Sequence, residues 1–124
     1  MGGVCLNQRQ LGKEKEELAC GFLREKGYEI ITCNYWCRGA ELDIVAKDGE
    51  YLVFVEVKYR KDHACGGSRY AVPPNKMRKI IQCARTYLYR ERVPLDMPMR
   101  FDVIAIEGKK IWHFLHAFDA DGWS

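Results

Sequence analysis

Apolar residues recur at helical spacing in the first patterned stretch of the chain. Leu11, Leu18, Ala19, Phe22 and Leu23 share one stripe of residues 8–26, and Gly27 supplies a stop. Lys13, Glu14, Lys15 and Glu17 point away from that stripe, whereas Glu16 borders it, within a turn of Ala19. Three β-branched and aromatic runs follow, at residues 28–35, 41–47 and 51–58. Gly39 breaks the first from the second, and Asp48-Gly49 between the second and third predicts a hairpin with a two-residue turn. Pairing Lys47 with Glu50 sets Val45 opposite Leu52, Asp43 opposite Phe54 and Glu41 opposite Glu56. Alternation then gathers Glu41, Asp43, Leu52, Phe54, Glu56 and Lys58 on one face. The other face, with Leu42, Ile44, Val53, Val55 and Val57, is wholly apolar and must be core.

A basic, glycine-rich loop occupies residues 59–72, and Pro73-Pro74 opens a helix that runs to residue 90. Met77, Ile80, Ile81, Ala84, Tyr87 and Leu88 form its apolar stripe, and Lys76, Arg78, Lys79, Arg85 and Arg90 its outer face. After a turn bracketed by Pro94 and Pro98, strands at residues 99–106 and 111–118 meet at Gly108. The order α-β-β-β-α-β-β predicts an α/β chain of the α+β kind, a single domain over residues 1–124 with a central mixed sheet flanked by helices.

Composition narrows the class. At 124 residues, 48% apolar and 30% charged, the chain reads as one soluble globular domain. No apolar run approaches the roughly 18 residues needed to cross a bilayer. The N-terminus lacks a signal-peptide pattern, and Leu6 stands where myristoylation wants Ser or Thr, so a cytoplasmic protein without membrane attachment is expected. The six cysteines contain no Cys-x-x-Cys pair, and the spacing of Cys33, Cys37, His63 and Cys65 matches no common zinc site. Reduced, packed thiols are therefore expected.

Charge is uneven. Residues 58–92 hold ten basic side chains against Asp62 and Glu91, a local +8 within an overall +3. A basic segment beside an acidic remainder suits a polyanion partner, although a solvated helix face has the same composition.

The carboxylates carry the chemistry. Glu41, Asp43 and Glu56 on one hairpin face lie within about 4.5–8 Å of their neighbours, and like charges so placed are destabilising unless a proton, a base or a cation offsets them. Lys58 neutralises only one of the three. An all-oxygen site of this kind suits Mg²⁺ or Mn²⁺, and a cation beside a lysine is the minimal kit for phosphodiester hydrolysis.

Asp43 followed by Glu56-Val57-Lys58 resembles the D-x(n)-E-x-K signature of the restriction-endonuclease-like superfamily. A wider layout is similar to the YraN-like family of small predicted endonucleases, related to archaeal Holliday-junction resolvases. It comprises Gly12, Glu16–Ala19, Phe22-Leu23, Gly27-Tyr28, Ile30, Asn34, Glu41–Ile44, Phe54–Lys58, Arg60, Lys76 and Arg100–Val103, nearly the whole chain. The resemblance implies a restriction-endonuclease-like fold, metal binding at Asp43 and Glu56 and catalysis at Lys58, with Glu16 as the helix-borne acid that completes the site. Lys15 and Ala40 stand where the family has glycine. Glu41 is a further candidate ligand.

The resulting expectation is a Mg²⁺- or Mn²⁺-dependent nuclease acting on branched or structured DNA. Arg60, Lys61, Arg69, Lys76, Arg78, Lys79 and Arg85 would hold phosphates with little sequence readout. A two-fold junction would suit a homodimer. The rival readings are a DNA-binding accessory protein with a vestigial site and a protein-interaction domain. His113 and His116 fall on opposite faces of a regular strand, Asp102 reads as a structural ion pair, Ser68 as loop chemistry, and Trp36 as packing or a base-stacking surface.

Overall fold

A computed structural model describes residues 8–60 and 72–119, with side chains from Gly12 onward except at Arg60. Lys61, His63, Ser68 and Arg69, and with them the Cys5 and Cys65 thiols, lie outside the described residues. The element order is that expected from periodicity: α1 (Gln8–Glu25), β1 (Glu29–Cys37), β2 (Ala40–Asp48), β3 (Tyr51–Arg60), α2 (Pro74–Arg90), β4 (Met99–Glu107) and β5 (Lys110–Phe118). The five strands form one sheet in sequence order, antiparallel except for β3 and β4, which pair parallel across the α2 crossover.

The local chemistry that starts and stops these elements is visible in the backbone. Gly27, at φ +94°, ends α1 while Tyr28 N–H donates to Leu23 O and Gly27 N–H to Arg24 O. This is a Schellman closure, whose left-handed residue glycine adopts without strain. Pro74 opens α2, where a missing N–H costs nothing.

One helix covers each face of the sheet. Ala19, Cys20 and Leu23 of α1 pack with Ile44, Ala46, Val53, Val55, Ile104 and Ile106. Ile80, Ile81, Ala84 and Tyr87 of α2 pack with Leu42, Val45, Leu52, Phe54, Phe101 and Val103. The hairpin face expected to carry the carboxylates is therefore also core at Leu52 and Phe54, because α2 lies on it. Leu18, expected on the α1 stripe, is exposed: the line of contact is narrow and runs through Ala19, Cys20 and Leu23. No described helix is long and apolar enough to cross a membrane.

Two expectations are corrected here. The hairpin closes on Asp48 and Tyr51, so Gly49 and Glu50 are its central residues, with Gly49 at φ +61°. Glycine with positive φ at the first central position is the pattern of a II′-type turn, and it moves every partner by two residues while preserving the faces. Val45 thus faces Phe54, and Lys47 faces Leu52. Second, Cys37 and Cys83 form a disulfide, against the expectation of reduced thiols throughout. The end of β1 lies against the buried face of α2 with Cα atoms 5.6 Å apart, a proximity that a separation of 46 residues does not reveal.

Candidate metal centre

The site forms where the sheet divides. β2 and β3 pair from Asp48–Tyr51 only as far as Ile44–Val55. Beyond that point β2 stays with β1, to Cys37–Ala40, and β3 stays with β4, to Arg60–Glu107. The Asp43 side chain enters the resulting fork, where its Oδ2 accepts a 2.8 Å hydrogen bond from Val57 N–H and takes the place of a backbone carbonyl. Strict alternation also fails here, since Leu42 and Val45 both pack under α2 while Ile44 packs under α1. Leu42 is thereby moved off the face assigned from the sequence pattern.

The fork brings acids from three elements together. Ligand oxygens of Glu16 (α1), Glu41 and Asp43 (β2) lie within 4.8 Å of one another. Continuing the observed register sets Glu56 of β3 across from Asp43, and the two carboxyls are hydrogen-bonded to each other. Burial, then the Glu56 charge, pushes the Asp43 carboxyl up to about 9 against the lowering effect of the Val57 N–H. Burial also raises Glu16 and Glu41, each helped by neighbouring carboxylates. Three acids held above their ordinary range by desolvation and mutual repulsion are what a divalent cation would reverse.

Glu56 is 4% exposed, and its Oε2 has no hydrogen-bond donor aligned on it among the described residues. The Lys76 ammonium lies 2.5 Å away as a charge contact. Burial alone would lower the Lys76 pKa, but the Glu56 pair outweighs it and raises it. Lys76, expected on the outward phosphate-holding face, instead turns onto the acids. Lys79, Arg78 and Arg85 remain on the exposed side of α2. By alternation Lys58 projects to the same side of β3 as Glu56.

Supporting residues complete the picture. Asn34, at φ +55°, hydrogen-bonds Glu16 from β1 and holds the helix-borne acid toward β2. Lys15 places its ammonium 4.3 Å over the Tyr59 ring, and a cation–π contact thus occupies it. Trp36 pairs with Glu41 across β1 and β2 and is 68% exposed, so it is an open aromatic surface beside the acids and not a packing residue.

Asp102 is the expected structural ion pair, with more partners. Arg100 Nε donates to Oδ1 at 2.9 Å, His116 N–H to the same oxygen at 3.0 Å, and His113 Nε2 lies 2.8 Å from Oδ2. Burial would raise the Asp102 pKa, but these donors outweigh it and hold the carboxyl below its usual range. Arg100 also reaches Tyr28 Oη and Asp48. His113, paired with Ile104 in the regular part of β5, faces this cluster. The irregularity beyond Phe114, where His116 has φ +53°, brings the His116 N–H onto Asp102 and leaves its ring paired with Asp119 outside. The sequence offered no periodic signal for a buried His113.

Residues 15–106 match the family described as "Uncharacterised protein family UPF0102". The chain is 43% identical over 117 residues to a UPF0102 protein of Lachnoclostridium phytofermentans, covering 94% of this chain and 99% of that one. It is 40% identical over 114 residues to a UPF0102 protein of Legionella pneumophila strain Philadelphia 1, covering 90% and 97%. It is 45% identical over 114 residues to a UPF0102 protein of Geobacter sulfurreducens, covering 88% of each. With most of its length matched, the chain belongs to the UPF0102 family, which is the YraN family that its motifs resemble.

Proposed function

We propose that this protein is a divalent-metal-dependent nuclease that hydrolyses phosphodiester bonds in branched or structured DNA. The observation that carries the reading is the fork between β2 and β3, where ligand oxygens of Glu16, Glu41 and Asp43 converge within 4.8 Å of one another and Glu56 of β3 lies against Asp43. Glu16, Glu41 and Asp43, with Glu56 behind Asp43, would hold Mg²⁺ or Mn²⁺, whose all-oxygen preference this donor set fits. When bound, the cation supplies Lewis acidity toward the phosphoryl oxygen and makes water more acidic. Lys58, on the Glu56 side of β3, orients the attacking water and stabilises developing negative charge. Lys79, Arg78 and Arg85 of α2 hold phosphates, and the sequence adds Arg60, Lys61 and Arg69 as further phosphate-holding cations. Trp36 gives an unpaired base at a junction or fork a surface on which to stack.

Incubation with plasmid, forked and four-way DNA in Mn²⁺ tests the reading. Cleavage that disappears in a folded Asp43→Asn variant supports it, and no cleavage of any substrate refutes it. One observation favours a second reading: the Lys76–Glu56 ion pair supplies charge balance to the acids without any cation. A DNA-binding accessory protein with a lysine-closed site would bind the same substrates, take up no Mn²⁺ and cut none of them.

A further inference from the structure

Two thiols outside the acid cluster stand next to it. Cys20 of α1 and Cys33 of β1 place their Sγ atoms 3.4 Å apart, with Cys20 buried and Cys33 exposed. Both line an open cavity of about 390 Å³ together with Lys13, Glu16, Arg24 and Asn34. Cys20 lies one helical turn beyond Glu16, and Cys33 immediately precedes the Asn34 that hydrogen-bonds Glu16. We propose that Cys20 and Cys33 are a reversible thiol–disulfide exchange site whose closure ties α1 to β1 beside Glu16 and tightens cation binding at the acid cluster. The regulatory half of this inference rests on the metal-centre reading above; the disulfide itself does not.

The chemistry balances with a low-molecular-weight disulfide as oxidant. The exposed Cys33, as thiolate, attacks one sulfur of that disulfide and expels the first small thiol. Cys20 then loses its proton and attacks Cys33 Sγ in the mixed disulfide, which expels the second. Two protein thiols are oxidised by two electrons and one small disulfide is reduced to two thiols. The order follows from position: Cys33 meets the solvent, and burial pushes the Cys20 thiol up to about 12, so Cys20 serves as the resolving partner. The cavity admits the reagent at the pair. A cross-link one turn from Glu16 removes motion of α1 relative to β1, so less ordering remains to be done when a cation binds.

The test exposes the full-length protein to oxidised glutathione and maps disulfides by tryptic digestion and mass spectrometry. Calorimetric Mn²⁺ titration of both forms follows. The expected result is a three-peptide species in which residues 16–24 are linked to residues 27–38, which already carry residues 80–85 through Cys37–Cys83. The 16–24 link is reversed by mild reductant and missing in the Cys33→Ser variant. Mn²⁺ affinity should then rise threefold or more in the oxidised form and stay unchanged in oxidant-treated Cys33→Ser protein. A persistent mixed disulfide on Cys33, or unreacted thiols in folded protein, overturns the exchange site. A formed link with equal or weaker Mn²⁺ binding overturns its regulatory role. Mn²⁺ binding to neither form removes that role together with the metal-centre reading, while the peptide masses decide the disulfide alone.

Discussion

Asp43→Asn separates a cation site from an ordinary acidic patch. The buried Asp43 carboxyl is pushed up to about 9, whereas in the unfolded chain it titrates near 3.8. Between those values the folded protein keeps a proton that the unfolded chain has lost, so its stability falls as pH rises. Below 3.8 the group costs nothing, and above 9 its full penalty is present. The slope is at most about 1.4 kcal/mol per pH unit, so this one group removes up to about 3 kcal/mol from the metal-free protein between pH 6 and 8. A cation that needs the ionised carboxylate must expel the proton, so apparent Mn²⁺ affinity should rise up to about tenfold per pH unit over the same range. Asp43→Asn should flatten the pH dependence of the metal-free protein, raise its stability at pH 8, and abolish the Mn²⁺ response. Thermal melts at pH 6, 7 and 8, with and without millimolar MnCl₂, read all three. At an ion concentration one hundred times Kd, wild-type protein gains about 2.7 kcal/mol. A wild-type melt indifferent to Mn²⁺ at every pH would refute the reasoning, as would a full Mn²⁺ shift in the Asp43→Asn variant.

Other perturbations probe the remaining parts. Lys58→Ala should spare Mn²⁺ binding and DNA affinity but slow hydrolysis by about two to three orders of magnitude in single-turnover assays, and intact activity would exclude its proposed role. Neutralising Arg78, Lys79 and Arg85 together should leave folding within about 0.5 kcal/mol per site. It should also flatten the dependence of log DNA affinity on log salt by about 0.9 for each duplex phosphate no longer neutralised; an unchanged slope would assign them to a solvated face. Lys76 stays out of that set, since its removal leaves Glu56 buried without its ion-pair partner. Asp102→Ala strands Arg100, and urea melts at pH 7 should show a loss of about 3–5 kcal/mol. Because Asp102 is held below its usual pKa, its stabilisation is present above about 3.8 and fades as pH falls through the folded-state value. A loss under about 1 kcal/mol would show that the cluster is not structural.

Local pattern by itself determined the elements of this protein. The α2 stripe, the Gly27 stop, the Pro74 start and the seven-element order depend on residues a few positions apart, so periodicity and turn chemistry reveal them without knowledge of the fold. The acids were legible for the same reason: carboxylates alternating in an otherwise apolar hairpin are costly, and Glu16 bordered its helix stripe. Which groups meet was decided by tertiary structure. Moving the turn from Asp48-Gly49 to Gly49-Glu50 placed Asp43, and not Glu41, across from Glu56. The division of the sheet beyond Ile44–Val55, where β2 stays paired with β1 and β3 with β4, opened the space that Asp43 fills. The placement of α2 turned Lys76 inward onto Glu56 and Cys83 onto Cys37. Pairing of His113 with Ile104 set its ring against Asp102, and β1 left Trp36 open to solvent beside Glu41. The pairs Asp102–His113, Asp43–Glu56, Glu56–Lys76 and Cys37–Cys83 join residues separated by 11 to 46 positions, and such pairs are set by how strands diverge and helices seat, which no short-range repeat encodes.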